Sequence, residues 1–579
     1  MPVKTTTLAT EPVLVQQHEL VVTLVDPANQ DNKSAAKTSA FSAIILTYGA
    51  TLTRLQYPDR WNQPQDVVLG FDNWEDYLAQ AKPGGLNPYF GAIVGRTASR
   101  WKQNKYADTD FLWDARIGHA SFTLQSNYVS ELAHDVQGIK YAQSVSESTG
   151  PPHTPGTTKP QIQTQNQAQA RYQEYEPKHT LEISNGVDCH HGGPVGFDKQ
   201  HWTTVDVQQE DPSVTLQLIS PHGQGGYPGR VVTKVQYRLT SLGELIVEYW
   251  AELEAEVRDE DNVDDLRAQE VLDLHSTIVS LTNHTYWNLD GVLNPTDSSD
   301  EKAAETTLEG LIKDDAFEGQ GQQQQEEKEE VVTLRNHLSV KNHTLWLSSR
   351  DIIELGTSHP VPTGQIIDVS SSSKEQAELL DFTGHIPGSD LGLNRLGPGL
   401  DRIPNGYGYD HVYALSPPKA LSHSSTSVCD IGIQGYYPCT PHVATLYSPQ
   451  TGIRLDLMTS EPALVLYAAG YLDHKLLPRT KSKDLDMPLP LMISPSATPL
   501  QSPAHRESTH VTNENQQQQE QTRKRGIRIV AEMDKFAGIS LEPIRYPDAI
   551  HHQNWAKMVT LHHDQMYRQR SVYKFRVAD

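Results

Sequence analysis

Wherever a pattern can be read in this chain, apolar residues recur at every second position. That period suits strands with one face on a core and one face turned away. Ile453, Leu455 and Leu457 alternate with Arg454 and Asp456, just after the turn-like Pro449-Gln450-Thr451-Gly452. Val247, Tyr249, Ala251 and Leu253 alternate with Glu248, Trp250 and Glu252. They follow the turn signal Ser241-Leu242-Gly243 and an earlier run with Val235, Tyr237 and Leu239. Further strands are expected over 19–25, 42–57, 213–219, 277–289, 442–448, 463–469 and 571–577. Amphipathic helical patterns are few. The expected fold class is all-β, a large antiparallel β-sandwich.

Between the strand patterns lie stretches of another kind. Residues 128–178 are rich in Gln, Thr, Pro and Ser, and 254–270 are strongly acidic. Residues 298–332 hold the run Gln322 to Gln325 followed by Glu326-Glu327-Lys328-Glu329-Glu330, and 478–526 hold prolines, serines and Gln516 to Gln519. Such compositions bury too little apolar surface to offset their ordering entropy. Strand patterns resume after each, so they read as low-complexity surface insertions in one domain spanning 1–579. No internal repeat is present.

Composition narrows the function classes. The formal net charge is −24, from 72 acidic against 48 basic residues. A surface that acidic repels phosphate backbones and anionic lipid, so neither nucleic acid nor a membrane is an expected partner. The basic cluster Arg523-Lys524-Arg525 sits beside a glutamine run, where a solvated linker competes with a targeting signal. Only three cysteines occur, Cys189, Cys429 and Cys439, and the stretch from Met1 to Pro12 has no apolar core of a leader. A cytoplasmic location is expected.

Five islands combine histidine, carboxylate, arginine and glycine in ways core packing does not require. They are Asn87-Pro-Tyr-Phe-Gly-Ala-Ile-Val-Gly-Arg-Thr-Ala-Ser-Arg100, Asn185-Gly-Val-Asp-Cys-His-His-Gly-Gly-Pro-Val-Gly-Phe-Asp198, Leu281-Thr-Asn-His-Thr-Tyr-Trp-Asn-Leu289, Gly408-Tyr-Asp-His411 and Ile539-Ser-Leu-Glu-Pro-Ile-Arg-Tyr-Pro-Asp548. His284 ends an apolar run and is flanked by Asn283, Tyr286 and Trp287, a mixture that suits a sugar pocket. Its imidazole titrates near neutrality, as a general acid needs. Glu542 sits among Ile539 and Leu541, so it either faces solvent or is buried with a raised pKa. His190-His191-Gly192-Gly193 reads as a loop whose glycines let backbone approach a ligand, or as an ordinary glycine turn. The 25 histidines invite a metal, but the adjacent pairs at 190–191, 551–552 and 562–563 are not chelating spacings. Neither H-E-x-x-H, C-x-x-C, a P-loop nor G-x-G-x-x-G occurs, so no metal or nucleotide cofactor is expected.

In this order the islands resemble the aldose 1-epimerase (galactose mutarotase) family. Its members carry G-R-x-A-N-R-I, L-H-G-G-x-x-G-F-D, T-N-H-x-Y-F-N-L, a D-H pair and a late L-E-T-Q…P-D-A. The match extends from Tyr48-Gly49-Ala50 through Asp66-Val-Val-Leu-Gly-Phe71 and Pro362-Thr-Gly364 to Phe575. The resemblance implies a β-supersandwich and cofactor-free interconversion of the anomers of a free aldohexose such as galactose or glucose. It implies that Glu542 removes the C1 hydroxyl proton and that His284 protonates the ring oxygen. His191 and Asp410 would hold the sugar, with Phe197 and Trp202 extending the apolar wall of the glycine loop.

The chain departs from the family pattern at three places. The substrate arginine of A-N-R-I is divided between Ala98-Ser99-Arg100-Trp101 and Ala115-Arg116-Ile117, so Arg100 and Arg116 both stand as counterparts; the strand-like run after Arg116 favours the latter. Pro543-Ile544 replaces Thr-Gln after the glutamate, and Val465 replaces a sugar-contacting glutamine. These departures leave a second reading open, a mutarotase-like carbohydrate-binding or regulatory protein with impaired catalysis. A hexose-6-phosphate epimerase would need a basic cluster for phosphate, which so acidic a sequence does not display.

Overall fold

The computed structural model describes residues 2–11, 13–25, 39–82, 87–102, 111–114, 119–122, 181–184, 188–254, 276–292, 331–356, 360–384, 395–403, 406–415, 441–473, 482–485 and 526–578. Three sheets carry the architecture. A five-stranded antiparallel meander runs in chain order through Val3–Ala9, Val15–Thr23, Ala40–Leu46, Thr51–Pro58 and Pro64–Asp66. An eight-stranded sheet is ordered Thr203–Gln208, Ser213–Ser220, Arg230–Thr240, Glu244–Glu254, Met566–Val577, Ile453–Thr459, His442–Tyr447 and Thr344–Leu347. A six-stranded sheet is ordered Tyr286–Trp287, Ile539–Ile544, Ala463–Tyr467, Asp410–Ala414, Asp351–Leu355 and Pro362–Asp368. All pairings within these sheets are antiparallel. No helix among the described residues is long and apolar enough to cross a membrane.

One apolar core joins the three sheets, with Leu20, Phe41 and Ile45 from the first, Val235, Tyr249 and Phe575 from the second, and Leu464, Leu466 and Leu541 from the third. Each such side chain, fully buried, contributes about 1.5–3 kcal/mol, which is why the alternating pattern governs the architecture. Burial follows that pattern at Val247, Tyr249, Ala251 and Leu253. At Ile453–Thr459 it does not, because Arg454 and Asp456 are buried too. Arg454 Nε lies 2.8 Å from Asp456 Oδ1, and Thr445 Oγ1 donates to the same oxygen at 2.6 Å, so the charges are compensated.

Several expected strands prove to be composite. The run 42–57 is two strands, Ala40–Leu46 and Thr51–Pro58, folded back so that Leu46 faces Thr51. The turn needs Gly49 at φ 66°, where a Cβ would lie 2.7 Å from the Asp198 carbonyl oxygen. The run 277–289 divides into Ser276–Ile278, Thr282–Asn283 and Tyr286–Trp287, each paired with a different partner: Thr560–His562, Ile93–Val94 and Ile539–Ser540. That passage from one sheet to another places His284 in a link between strands.

The segments expected as insertions, 128–178, 254–270, 298–332 and 478–526, lie outside the described residues except at 254, 331–332, 482–485 and 526. The exceptions correct part of the expectation. Ser482–Leu485 is a strand antiparallel to Gly526–Glu532, whose other edge pairs in parallel with Val331–His337. Composition reports side chains, whereas the backbone of even a polar run can complete a neighbour's ladder.

Candidate active site

The six-stranded sheet positions one carboxylate by alternation alone. Along Ile539–Ile544, Ile539 and Leu541 point into the shared core, so Glu542 emerges on the opposite face. Across the register, Val465 pairs with Glu542 and Asp410 with Tyr467, which brings all four to one cavity. Pro543 is accommodated because the Tyr286–Trp287 strand pairs only with Ile539 and Ser540, so beyond them this strand has a sheet neighbour on one flank. The Pro543 carbonyl accepts hydrogen bonds from Thr282 Oγ1 at 2.9 Å and Gln569 Nε2 at 3.2 Å. Thr282 thereby ties the segment before His284 to the strand that carries Glu542.

His284 is held by backbone and by rings. Its amide donates to the Ala92 carbonyl and its own carbonyl accepts from Gly91, while Asn283 Nδ2 donates to the Gly91 carbonyl at 2.8 Å. The imidazole lies over Tyr89, ring centroids 5.5 Å apart and 24° from parallel, with Tyr286 at 4.9 Å. Nε2 stands 3.4 Å from Glu542 Oε1, and the two residues are 4% and 2% exposed. Burial dominates their titration. It pushes the Glu542 carboxyl up to about 8, with the Asp410 charge adding to the rise, and pulls His284 down to about 4.

The glycine loop forms a third wall. Gly192 is at φ 81°, and a Cβ there would come within 1.8 Å of the Gly95 carbonyl oxygen, so only glycine permits this approach. His191 is fixed reciprocally to Ser99: its amide donates to the Ser99 carbonyl at 3.0 Å, and its Nδ1 accepts from the Ser99 amide at 3.2 Å. Burial and the neighbouring His190 hold His191 well below the usual histidine range, so the ring is neutral and carries its proton on Nε2. Asn87, Tyr89, Ser99 and His191, none a glycine, all have positive φ, a concentration of backbone strain around one cavity.

These walls enclose about 470 Å³. Of the residues expected at a site, Glu542, His284, His191, Asp410 and Arg100 line it together. Arg116 lies outside the described residues. Arg100 pairs across a short ladder with His190, and its buried Nε has no hydrogen-bond partner among the described residues. The other arginine of that island, Arg96, is engaged elsewhere, donating to the Pro228 and Gly229 carbonyls and to Ser220. Phe197 and Trp202 are not on the wall. Both are buried in the main core, edge to face at 5.8 Å, because the loop closes over them and turns its histidine inward. Three possible metal ligands, His337, Glu532 and Asp534, come together elsewhere, and none lines the cavity.

Four tyrosines line the cavity, Tyr89 and Tyr286 from islands visible in the sequence and Tyr467 and Tyr471 from outside them. One signal was available: alternation puts Tyr467 on the face of Val465, two residues earlier. Burial pushes the hydroxyls of Tyr89, Tyr286 and Tyr467 up, which keeps them protonated and able to donate. The cavity thus holds a proton-carrying pair, hydroxyl and imidazole donors, carboxylate acceptors and ring faces, a set matched to a polyhydroxylated ring.

A family model described as aldose 1-epimerase matches residues 34–115, 166–258 and 332–574. The chain is 30% identical over 251 residues to a galactose mutarotase of Bos taurus, covering 43% of this chain and 45% of that protein. The chain spans about half the length of the curated relatives it matches. Its fold resembles that of an aldose epimerase homologue from C. elegans, with TM-score 0.50 and 17% identity over 97% of this chain and 100% of that one. It equally resembles a galactose 1-epimerase from Lactobacillus acidophilus, with TM-score 0.50 and 14% identity over 100% and 99%. At those identities the likeness concerns the galactose mutarotase-like β architecture alone.

Proposed function

Because this chain belongs to the aldose 1-epimerase family, we propose that it interconverts the α and β anomers of a free aldohexose, galactose or glucose, through Glu542 and His284. In this reading Glu542 takes the C1 hydroxyl proton while His284 delivers one to the ring oxygen. The C1–O5 bond breaks, the aldehyde turns about C1–C2, and reclosure returns both protons with the opposite face of C1 attacked. His191, Asp410 and Arg100 orient the hydroxyls and the tyrosines stack on the ring.

The observation that carries this reading is the burial of His284 and Glu542 together, Nε2 3.4 Å from Oε1, where burial favours the neutral form of each. With Glu542 raised to about 8 and His284 lowered to about 4, the two groups hold one proton between them across the neutral range. One donor and one acceptor are what the reaction consumes and regenerates. Neutral Glu542 with neutral His284 is the distribution left when the open-chain aldehyde has formed. Ionised Glu542 with protonated His284 is the one matched to the closed sugar. They differ by one proton moved between atoms 3.4 Å apart, with no change of net charge.

A phosphorylated hexose is disfavoured, since Arg100 is the one permanently cationic residue among the described residues of a lining that also holds Asp410 and Glu542. The second reading, a sugar-binding relative with impaired catalysis, draws on Val465, which sets an apolar side chain directly across from Glu542. Polarimetry separates the two: α-galactose and α-glucose should lose rotation faster than in buffer. A rate equal to buffer, with sugar still bound, would establish the binder. The cytoplasm is the proposed location, on the low cysteine content.

A further inference from the structure

Away from the cavity, three side chains with metal-binding atoms converge where two strands distant in the chain meet. Along Ala531-Glu532-Met533-Asp534, Ala531 and Met533 are wholly buried in an apolar cluster, so alternation sends Glu532 and Asp534 to the opposite face. In the parallel ladder between Val331–His337 and Gly526–Glu532, His337 is the register partner of Glu532, which brings its imidazole to the same place. His337 Nδ1 lies 2.8 Å from Glu532 Oε2, and one ligand atom from each of the three residues lies within 4.8 Å of the other two. Their separation along the chain is why no sequence spacing displays the group.

Backbone holds the group in position. The Leu338 amide donates to the Glu532 carbonyl at 3.2 Å and the Val340 amide to the Phe536 carbonyl at 2.8 Å, while the Ala537 amide closes a turn on the Asp534 carbonyl at 3.0 Å. Glu532 is 4% exposed, so its carboxylate is largely cut off from water. Two carboxylates this close repel, the more so where water is excluded, and a cation between them removes the repulsion. The flanking lysines are engaged elsewhere. Lys535 Nζ lies 3.4 Å from the Gly406 carbonyl oxygen and over the Tyr407 ring, and Lys341 Nζ is 2.7 Å from Asp401 Oδ1. The His337 side chain is 66% exposed, which gives an ion a path from solvent.

One imidazole nitrogen with two carboxylate oxygens is a donor set for a borderline divalent ion; magnesium and calcium take oxygen ligands instead. Donors about 2.0–2.2 Å from one ion stand about 3.0–4.3 Å from each other, so small side-chain rotations would close these three on one centre. We propose that His337, Glu532 and Asp534 bind a single divalent ion of the zinc class, with water completing its coordination on the exposed side. The ion would clip the end of Val331–His337 to the turn that follows Gly526–Glu532 and so brace the small three-stranded sheet. None of the three residues lines the cavity, so the site is separate from the proposed reaction and does not depend on it.

Zinc binding to the full chain, freed of metal by a chelator and dialysed, tests this. Equilibrium dialysis should find one more zinc ion per chain in the unaltered protein than in His337→Ala, a change at an exposed side chain that spares the core. Asp534→Asn keeps the volume but removes the charge, and should lose the same ion. The other histidines contribute the same background to all three proteins. Zinc should also raise the melting temperature of the unaltered protein by a few degrees, because the three ligands meet only in the folded state, and should leave that of both variants unmoved. Equal zinc content in the unaltered protein and the variants would overturn the site, as would an equal melting shift. A shift produced as well by magnesium would overturn the zinc-class assignment.

Discussion

In the proposed reaction, Glu542 would serve chemistry against the stability of its fold. Its carboxyl titrates near 4.5 in the unfolded chain and near 8 in the folded protein. Below pH about 4.5 it is protonated in both states and pH has no effect on stability through it. Between 4.5 and 8 the folded state keeps a proton that the unfolded state releases, so this group makes folding less favourable as pH rises. Glu542→Gln should therefore stabilise the protein by about 1–3 kcal/mol at pH 7, with the gain vanishing near pH 4. Urea titration at the two pH values measures this. The same substitution should lower kcat at least about 100-fold, and near-normal turnover would remove Glu542 from the reaction. The pH profile of kcat/KM should be a bell with limbs near 4 and 8. Below the lower limb both groups are protonated and no acceptor remains; above the upper limb neither holds the proton to be donated. A rate flat from pH 5 to 10 would contradict the shared proton.

At the scale of the element, the separation of His284 and Glu542 is set by how two segments are fastened. Thr282 and Gln569 both donate to the Pro543 carbonyl, Tyr567 donates to Gln569, and the Leu281 amide donates to the Tyr567 hydroxyl. These contacts brace the His284 segment against the Glu542 strand from behind the cavity. Gln569→Leu keeps volume but removes the amide. It should destabilise the protein by about 1–2 kcal/mol and lower kcat more than it raises KM, since the side chains lining the cavity are untouched. A rise in KM alone would place Gln569 in binding instead. Pro543 is legible from sequence as a departure, but how the strand accommodates it is not. Its tolerance depends on the Tyr286–Trp287 strand ending at Ser540, a fact of pairing and not of composition.

Across the whole molecule, long polar stretches interrupt a sheet framework whose strands meet on one core. Leu485 pairs with Ile527, so residues 486–525 leave and rejoin the framework at adjacent positions. Replacing 486–525 with a two-residue Asn-Gly turn should leave the melting temperature and the turnover rate unchanged, because closing a short loop between adjacent ends costs little. A cut at 478 instead removes Ser482–Leu485 and strips one edge from the small three-stranded sheet. Loss of soluble folded protein in the shorter deletion would mean that the segment contributes packing of its own.

The period-two pattern determined the all-β class by itself, since it decides which face of each strand leaves water. The order of the five islands determined the family. The sequence also held His284 and Glu542, the pair proposed to react, yet neither stands out alone: a histidine among aromatics and a glutamate among aliphatics each suit an ordinary core. Only the tertiary structure decided that Glu542 turns away from the core that Ile539 and Leu541 join, and that His284 reaches it from a link between two sheets. It alone removed Phe197 and Trp202 from the cavity wall and placed Tyr467 and Tyr471 on it. The physical reason is range. Alternation is local and survives in one dimension, whereas burial, pKa and ring stacking are set by groups hundreds of residues apart.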